Sequence, residues 1–305
     1  MLCKFAVSAI CTTLLCSSLV AQDAFWSSPD AYLKQPRPED IPRVFAPTLL
    51  ADPGTFTMGR IAFSDDGRDI YYTQTDSWRV ADHLRIKQVR YQEQKWQKPT
   101  VFAEQFVTPT LSIDGNAMYM RTSKMDNVWQ SVRIGDGWTA PALLLQRKSG
   151  LYDFMPTRSG NVYVGSDPNP EDIHNGSTYV FSTLSIAHGV IASKSLGRPM
   201  NEPGFNGDLY VAPDESFMIV SAKETKDFES ELYIAFRKPD ATWTKPISLG
   251  PKINQGLAHR WGQYVSPDGK YLFYSYGRSE KNCAIYWVRF DTLLGKLRKE
   301  ALPEG

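Results

Sequence analysis

Short apolar runs separated by the same kind of polar turn recur five times along this chain. Runs rich in β-branched and aromatic residues, such as Ile70-Tyr71-Tyr72, follow the turns. The turns read Ser64-Asp65-Asp66-Gly67, Ser112-Ile113-Asp114-Gly115, Thr157-Arg158-Ser159-Gly160, Ala212-Pro213-Asp214-Glu215 and Ser266-Pro267-Asp268-Gly269. Repeats of strand, turn and strand at a period of about 50 residues predict the blades of a β-propeller.

Each unit divides into four strands, and the outer strands carry a second repeated signal. Trp96, Trp138 and Trp243 each begin a Trp-x-x-Pro sequence that leads into a short apolar run. Proline is tolerated in such a run because an edge strand needs fewer hydrogen-bond donors. We therefore expect these runs to be outer strands and the indoles to pack between blades.

The last unit has no outer strand of its own and ends in a charged tail after Phe290. Residues 44–50 are strand-like and precede the first inner strand, so they are expected to complete the fifth blade and close the ring. The prediction is an all-β protein with a single propeller of five four-stranded blades over residues 44–305. Residues 22–43, rich in proline and charge, are expected to form an extended lead-in.

The recurring aspartates of the turns invite an interpretation as acidic sites. Asp and Gly are also the residues that tolerate the positive φ angles of tight hairpin turns. The Asp-Gly pair therefore predicts a two-residue hairpin, and these carboxylates are interpreted as turn residues.

The N-terminus has the organisation of a secretory signal. Lys4 precedes an apolar run over residues 5–20, and Ala21 offers a small residue at a cleavage point. This pattern predicts a signal peptide over residues 1–21 and a periplasmic or secreted protein. The alternative is a lipoprotein anchor at Cys16, which the bulky Leu15 disfavours. Cys283 is then the one thiol of the mature chain, expected to be half-buried at a strand edge.

Composition narrows the classes of partner. The 34 Lys and Arg residues balance 33 Asp and Glu residues, so no long-range field favours nucleic acid. No later apolar run reaches the ~18 residues that a membrane span requires. We expect a monomer that binds a protein or a glycan.

Three stretches resemble the WD40-like repeats of bacterial TolB-type propellers: residues 264–273, 207–216 and 243–254. The resemblance covers about residues 44–290. It implies a periplasmic or secreted propeller with a binding role, and it does not imply an enzyme.

A site is expected on one face of such a propeller. The loops that lead into the inner strands, and those that join second to third strands, share a face that we call the loop face; the Asp-Gly turns lie on the opposite turn face. Loops of variable length surround the channel mouth on the loop face. Its candidate ligand-binding residues are His259, Arg260, Trp261, Arg278 and Trp78, which suit an anionic or sugar-like ligand.

The alternative is a glycan-active enzyme, either a glycosidase or a lyase. Asp153, Glu202 and Asp208 are the carboxylates that the pattern places at the funnel, and a glycosidase needs two of them ~5–9.5 Å apart. No complete hydrolase or phosphate-binding motif occurs, so a binding role is preferred to an enzyme. The four histidines have no zinc-ligand spacing, and no cofactor is expected. The acidic loop over residues 167–175 is the one candidate for calcium, and a solvated loop is preferred there.

Overall fold

Five antiparallel sheets form a five-bladed β-propeller in the computed structural model, which confirms the predicted fold class. The structure describes residues 25–77, 83–124, 126–147, 151–166, 180–187, 190–205, 207–223, 225, 227, 229–279 and 282–303. The predicted signal peptide, Trp78 and the acidic loop over residues 167–175 lie outside these ranges.

The blades follow one another along the chain, each with its inner strand first. Blade 1 comprises β2 (Phe56–Phe63), β3 (Asp69–Thr75), β4 (Arg85–Gln92) and β6 (Thr100–Glu104), with the short β5 (Lys95–Trp96). Blade 2 comprises β7 (Val107–Leu111), β8 (Ala117–Arg121), β9 (Asn127–Ile134) and β11 (Ala142–Gln146), with the short β10 (Gly137–Trp138).

The remaining blades have four strands each. Blade 3 comprises β12 (Met155–Pro156), β13 (Val162–Ser166), β14 (Val180–Ala187) and β15 (Val190–Ser195). Blade 4 comprises β16 (Leu209–Val211), β17 (Phe217–Ala222), β18 (Glu231–Phe236) and β19 (Ile247–Ser248). Blade 5 comprises β20 (His259–Val265), β21 (Tyr271–Gly277), β22 (Ala284–Arg289) and β1 (Arg43–Val44).

The ring is closed by the N-terminal strand β1, as predicted. Arg43 pairs with Trp287 of β22 and Val44 with Tyr286, which gives blade 5 its outer strand. This strand is shorter than the predicted residues 44–50, because a short helix, α1 (Pro47–Leu50), replaces its second half. Ala46 turns the chain with a positive φ of 43°, and Pro47 is suited to the first turn of a helix.

The segment before β1 packs against the turn face of blades 5 and 1. The Tyr32 hydroxyl donates to Asp268 Oδ1 at 2.6 Å, and Trp26 Nε1 donates to the carbonyl of Asp65 at 2.8 Å. A Cβ on Gly67 would lie 2.9 Å from the Trp26 ring, so this turn requires glycine both for its positive φ and for the contact. The ring closure therefore includes buried aromatic contacts as well as a two-residue ladder.

The predicted charged tail contains a helix that the sequence analysis did not assign. Helix α2 (Asp291–Ala301) follows β22 directly and buries Leu297. Its Arg298 guanidinium lies 5.2 Å from the centre of the Phe236 ring, so the helix covers the turn face where blades 4 and 5 meet. Within the part of the chain that the structure describes, no helix is long and apolar enough to cross a membrane.

The turn aspartates act as hairpin residues, although the loops have four residues rather than the predicted two. In the first turn, Asp66 Oδ1 accepts from Ser64 Oγ at 2.6 Å and from the amide of Arg68 at 3.1 Å. The Gly67 amide donates to the Ser64 carbonyl, and Gly67 then takes a φ of 73°. A type I turn followed by a left-handed residue explains the extra length.

Glu215 occupies the turn position that is glycine in the other four repeats. Its carboxylate accepts hydrogen bonds from Thr157 Oγ1 at 2.8 Å, Asn161 Nδ2 at 3.0 Å, Tyr163 OH at 2.7 Å and the Ser159 hydroxyl. These four donors belong to blade 3, so the side chain joins blades 3 and 4. They lower the pKa of Glu215 to about 2, despite its partial burial.

We predict that Glu215→Gln destabilises the protein by about 1–3 kcal/mol at neutral pH, because the amide cannot accept all four bonds. The folded-state pKa lies below the 4.5 that is usual for a glutamate side chain. The stabilisation is therefore fully present above pH ~4.5 and lost as the pH falls towards ~2. Urea unfolding at pH 7 and pH 3 measures this: the gap between variant and wild type should shrink at pH 3. Glu93→Gln, at an exposed ion pair, is the control, and an unchanged gap would contradict the account.

Candidate functional site

One arginine occupies the propeller axis and contacts all four of the other blades. Arg60 lies on β2 of blade 1 and is 1% exposed. Its guanidinium donates to Thr110 Oγ1 of blade 2 at 3.1 Å and to Asp153 Oδ1 of blade 3 at 2.5 Å. It also donates to the carbonyls of Leu209 in blade 4 at 2.9 Å and Gln263 in blade 5 at 3.3 Å. We call this arrangement the axial hub.

Two of the candidate carboxylates belong to the hub. Asp153 binds Arg60 through Oδ1, and its Oδ2 accepts from the Leu209 amide at 2.8 Å. Asp208 Oδ2 accepts from the Gly262 amide at 3.1 Å, which ties blade 4 to blade 5. Burial and the nearby Asp208 raise the pKa of Asp153 to about 6, although Arg60 acts in the opposite direction.

Positive-φ residues in three inner strands allow the blades to approach the axis. Gly59, Thr108 and Gly262 have φ values of 68°, 54° and 64°, each at an irregularity in its strand pairing. A Cβ on Gly262 would lie 2.4 Å from the carbonyl carbon of Gly59, so the close approach of β20 and β2 excludes any side chain there. These bulges bring Arg60 and Gln263, the residues after the two glycines, into the hub.

Little space remains around the buried carboxylates. The cavity that Arg60, Thr110 and Asp153 line measures about 10 Å³, roughly the room of a single water. The hub therefore fills the channel at the level of the inner strands.

At the loop face, the predicted ligand-binding residues separate into different roles. His259 stacks on Trp261 with ring centres 4.2 Å apart and an interplanar angle of 19°. The Trp261 ring, 8% exposed, packs with Phe56 and Cys283 between blades 5 and 1. The half-buried His259 thus presents the outer surface of this pair. Cys283 is buried, deeper than the predicted half-buried position, and its thiol donates to the Thr57 carbonyl at 3.4 Å.

Arg260 points away from the mouth and is 1% exposed. Its Nε donates to the carbonyl of Ile253, Nη1 to those of Ser230 and Ala258, and Nη2 to those of Gln255 and Gly256. A guanidinium has five N–H donors, and here all five meet backbone carbonyls. The side chain holds the loop before β20 in place.

Arg278 and Glu202 complete the placement of the described candidates. Arg278 is exposed on the loop face, and a Cβ on Gly256 would lie 3.0 Å from its Nη2. Glu202 is half-buried in the turn before Phe205, whose amide bonds to its carbonyl, and is not part of the axial hub. The structure thus gathers Asp153 with Asp208, and His259 with Trp261. No group of three or more His, Cys, Asp or Glu among the described residues is placed to hold a metal ion.

The sequence analysis missed Arg60 and Gln263, the two long polar side chains of the hub. A signal for them exists: each follows a glycine in the middle of an otherwise apolar inner strand, as Gly59-Arg60 and Gly262-Gln263. A glycine inside a strand pattern indicates a bulge or a close backbone approach. The same pattern in two repeats would have indicated contacts at the axis.

No family model matches this chain, and no curated protein matches it. Similar solved structures include a thermostable family-43 glycoside hydrolase, at 14% identity and a TM-score of 0.47, with 79% of this chain and 91% of that one covered. Another is the PQQ domain of pyranose dehydrogenase from Coprinopsis cinerea, at 10% identity and a TM-score of 0.42, with 83% and 98% covered. A chain of a nidogen/laminin complex has 9% identity and a TM-score of 0.41, with 66% and 74% covered. These similarities concern propeller architecture and carry no argument about activity.

We predict that Arg60→Met destabilises the protein by about 3–5 kcal/mol, because it leaves the buried carboxylate of Asp153 without its cation. Adding Asp153→Asn should restore part of the loss, which urea unfolding of the single and double variants measures. Arg260→Met is the matched control, since Arg260 is equally buried but contacts carbonyls, and Asp153→Asn should not restore it. Additive effects in the Arg60 series would contradict the hub.

The raised pKa of Asp153 predicts a pH dependence of the opposite sign to that of Glu215. The native state holds this proton more tightly than the unfolded chain, in which the pKa of an aspartate is about the usual 3.8. The contribution of Asp153 to stability therefore falls as the pH rises from ~4 to ~6 and is level above that. A carboxyl-carbon NMR titration should give a value near 6 that falls in Asp208→Asn. A value below 4 in the wild type would refute this electrostatic account.

Proposed function

We propose that this propeller is a periplasmic or secreted binding protein whose ligand site lies at the channel mouth on the loop face. The observation that carries the proposal is the ion pair between Asp153 and Arg60. In this pair the carboxylate of Asp153, one of the candidate funnel carboxylates, holds the blades together, and the pair closes the channel beneath the mouth. The resemblance of the repeats to TolB-type WD40-like units supports the same role and compartment.

The chemistry of the mouth favours an anionic glycan as the ligand. His259 covers Trp261 as a stacked aromatic pair, which offers a flat apolar surface to a sugar ring. Arg278 is exposed on the same face and offers charge-assisted hydrogen bonds to a carboxylate. Arg260, one of the predicted ligand-binding residues, supports the loop rather than the ligand.

The enzyme alternative depends on the same carboxylates in a different role. Asp153 has its pKa raised to about 6, a property that general acids share. Both of its oxygens are engaged, with Arg60 and with the Leu209 amide, so no oxygen is aimed at a substrate. A binding role therefore fits the geometry better than glycan hydrolysis.

The test uses the purified protein with polygalacturonate as the anionic probe and xylan as the neutral one. We expect polygalacturonate to retard the protein in affinity electrophoresis, and Arg278→Ala or His259→Ala to weaken that binding by about tenfold. Lys299→Ala, an exposed cation on helix α2 of the turn face, should leave it unchanged.

Two results would reject the proposal. Absence of any retardation by polygalacturonate would exclude the anionic glycan. Release of reducing ends by the wild type that Asp153→Asn abolishes, with the variant still folded, would establish the enzyme instead.

A further inference from the structure

A cleft on the turn face between blades 1 and 2 has the features of a second binding site. It measures about 420 Å³, within the range of ligand pockets. Aromatic, aliphatic and charged side chains line it together, among them Gln88, Arg90, Val101, Phe102 and Trp138. The loop-face proposal makes no use of this cleft.

The repeat provides an internal comparison, because the same position in blade 1 is already occupied. Trp96 pairs with Tyr91 across the β4–β5 hairpin, and Trp138 pairs with Arg133 across the β9–β10 hairpin. The residue after each tryptophan donates its backbone amide to a carbonyl of the preceding strand, Gln97 to that of Arg90 and Thr139 to that of Val132. The two tryptophans are therefore structurally equivalent.

At Trp96, the occupant is the N-terminal segment of this chain. The Phe25 ring lies 4.9 Å from Tyr91 and 6.3 Å from Trp96, measured between ring centres. Trp96 Nε1 donates to the carbonyl of Asp30 at 2.8 Å, and the Tyr91 hydroxyl donates to Asp30 Oδ2 at 2.5 Å. The position thus receives a peptide through an aromatic side chain, a carbonyl and a carboxylate.

At Trp138, the surroundings suit a segment of the same kind. The Phe102 ring centre lies 5.7 Å from that of Trp138, and Val101 beside it is 49% exposed. Arg133 stands in the position of Tyr91, with its guanidinium 4.6 Å from the Trp138 ring, so a carboxylate in the place of Asp30 would meet a cation. Arg90 adds a second cation. The Asp69 carboxylate lies near both guanidinium groups, with Oδ1 3.4 Å from Arg90 Nε and Oδ2 3.7 Å from Arg133 Nη2.

Three of the other four junctions between blades are covered or joined on the turn face by the chain itself. The N-terminal segment covers blades 5 and 1, helix α2 covers blades 4 and 5, and the Glu215 network joins blades 3 and 4. The described residues include seven large apolar side chains that are exposed, and five of them surround blade 2: Val101, Val132, Ile134, Leu143 and Leu144. Exposed apolar side chains concentrated in one region indicate an interaction surface.

We propose that the Trp138 cleft docks a peptide segment of a different protein, folded in a turn as residues 25–30 of this chain are. The segment has the chemistry of residues 25–30 of this chain, an aromatic side chain followed by a carboxylate. The ring would contact Trp138 and Val101, and the carboxylate would meet Arg133. The fold thus uses one docking geometry twice, for its own N-terminus and for a partner.

The probe is a fluorescent peptide with the sequence of residues 25–35, added to the full-length protein. We expect saturable binding with a Kd below about 1 mM by anisotropy. Val101→Asp should weaken it at least tenfold, whereas Leu257→Asp, 69% exposed in the loop before β20, should not. Peptides with Phe25→Ala or Asp30→Asn should bind correspondingly less. A photoreactive group at Phe25 should cross-link to residues 100–102 or 133–141, which lie at the Trp138 cleft and not at the resident position beside Tyr91 and Trp96.

Four results would overturn the proposal. The first is binding that does not saturate or that Val101→Asp leaves unchanged. The second is cross-linking confined to the groove between blades 5 and 1, where the peptide would simply exchange with the resident segment. The third is a concentration-dependent dimer that Val101→Asp abolishes, which would assign the cleft to a second copy of this chain. Binding of xylo-oligosaccharides in the cleft without peptide binding would likewise replace the peptide with a sugar.

Discussion

The ion pair between Arg60 and Asp153 at the axis is the contact on which the rest of the structure depends. A propeller arranges similar sheets around a channel, and each sheet contacts only its neighbours unless something crosses the axis. Here one guanidinium reaches the other four blades at once. A buried charge is tolerated only when it is paired and hydrogen-bonded, so the hub strongly favours one relative arrangement of the five inner strands.

The hub also determines where function can reside. Arg60 fills the axis, and the carboxylates of Asp153 and Asp208 accept hydrogen bonds from the Leu209 and Gly262 amides and so support the fold. The turn face is in turn partly covered by the two chain termini, which pack aromatic and aliphatic side chains against blades 4, 5 and 1. Among the described residues, the accessible surfaces include the loop-face mouth near His259 and the cleft at Trp138.

The repeats diverge where they acquire individual contacts. Glu215 replaces a turn glycine and adopts an unfavourable positive φ. Its carboxylate accepts hydrogen bonds from four donors of blade 3, which stabilise this conformation. Thr157 and Ser159, which depart from the common turn sequence, are two of those donors. The turns of the third and fourth units therefore depart from the common sequence because their side chains bond to each other. The tryptophans show the same principle, since identical positions in blades 1 and 2 meet different neighbours.

The sequence alone was enough to predict the five blades, their strand order, the role of the turn aspartates and the closure by an N-terminal strand. These features are predictable because turn chemistry and strand patterns are local and repeat five times. The outcome at the site was different. Arg260 and Trp261 looked like ligand residues by position, but one binds five carbonyls and the other packs between blades. Arg60 looked like an ordinary strand residue, yet its partners lie 50, 93, 149 and 203 positions away. Only the closed ring brings such distant residues within hydrogen-bonding distance, so the tertiary structure decided which polar side chains hold the fold and which remain free to bind.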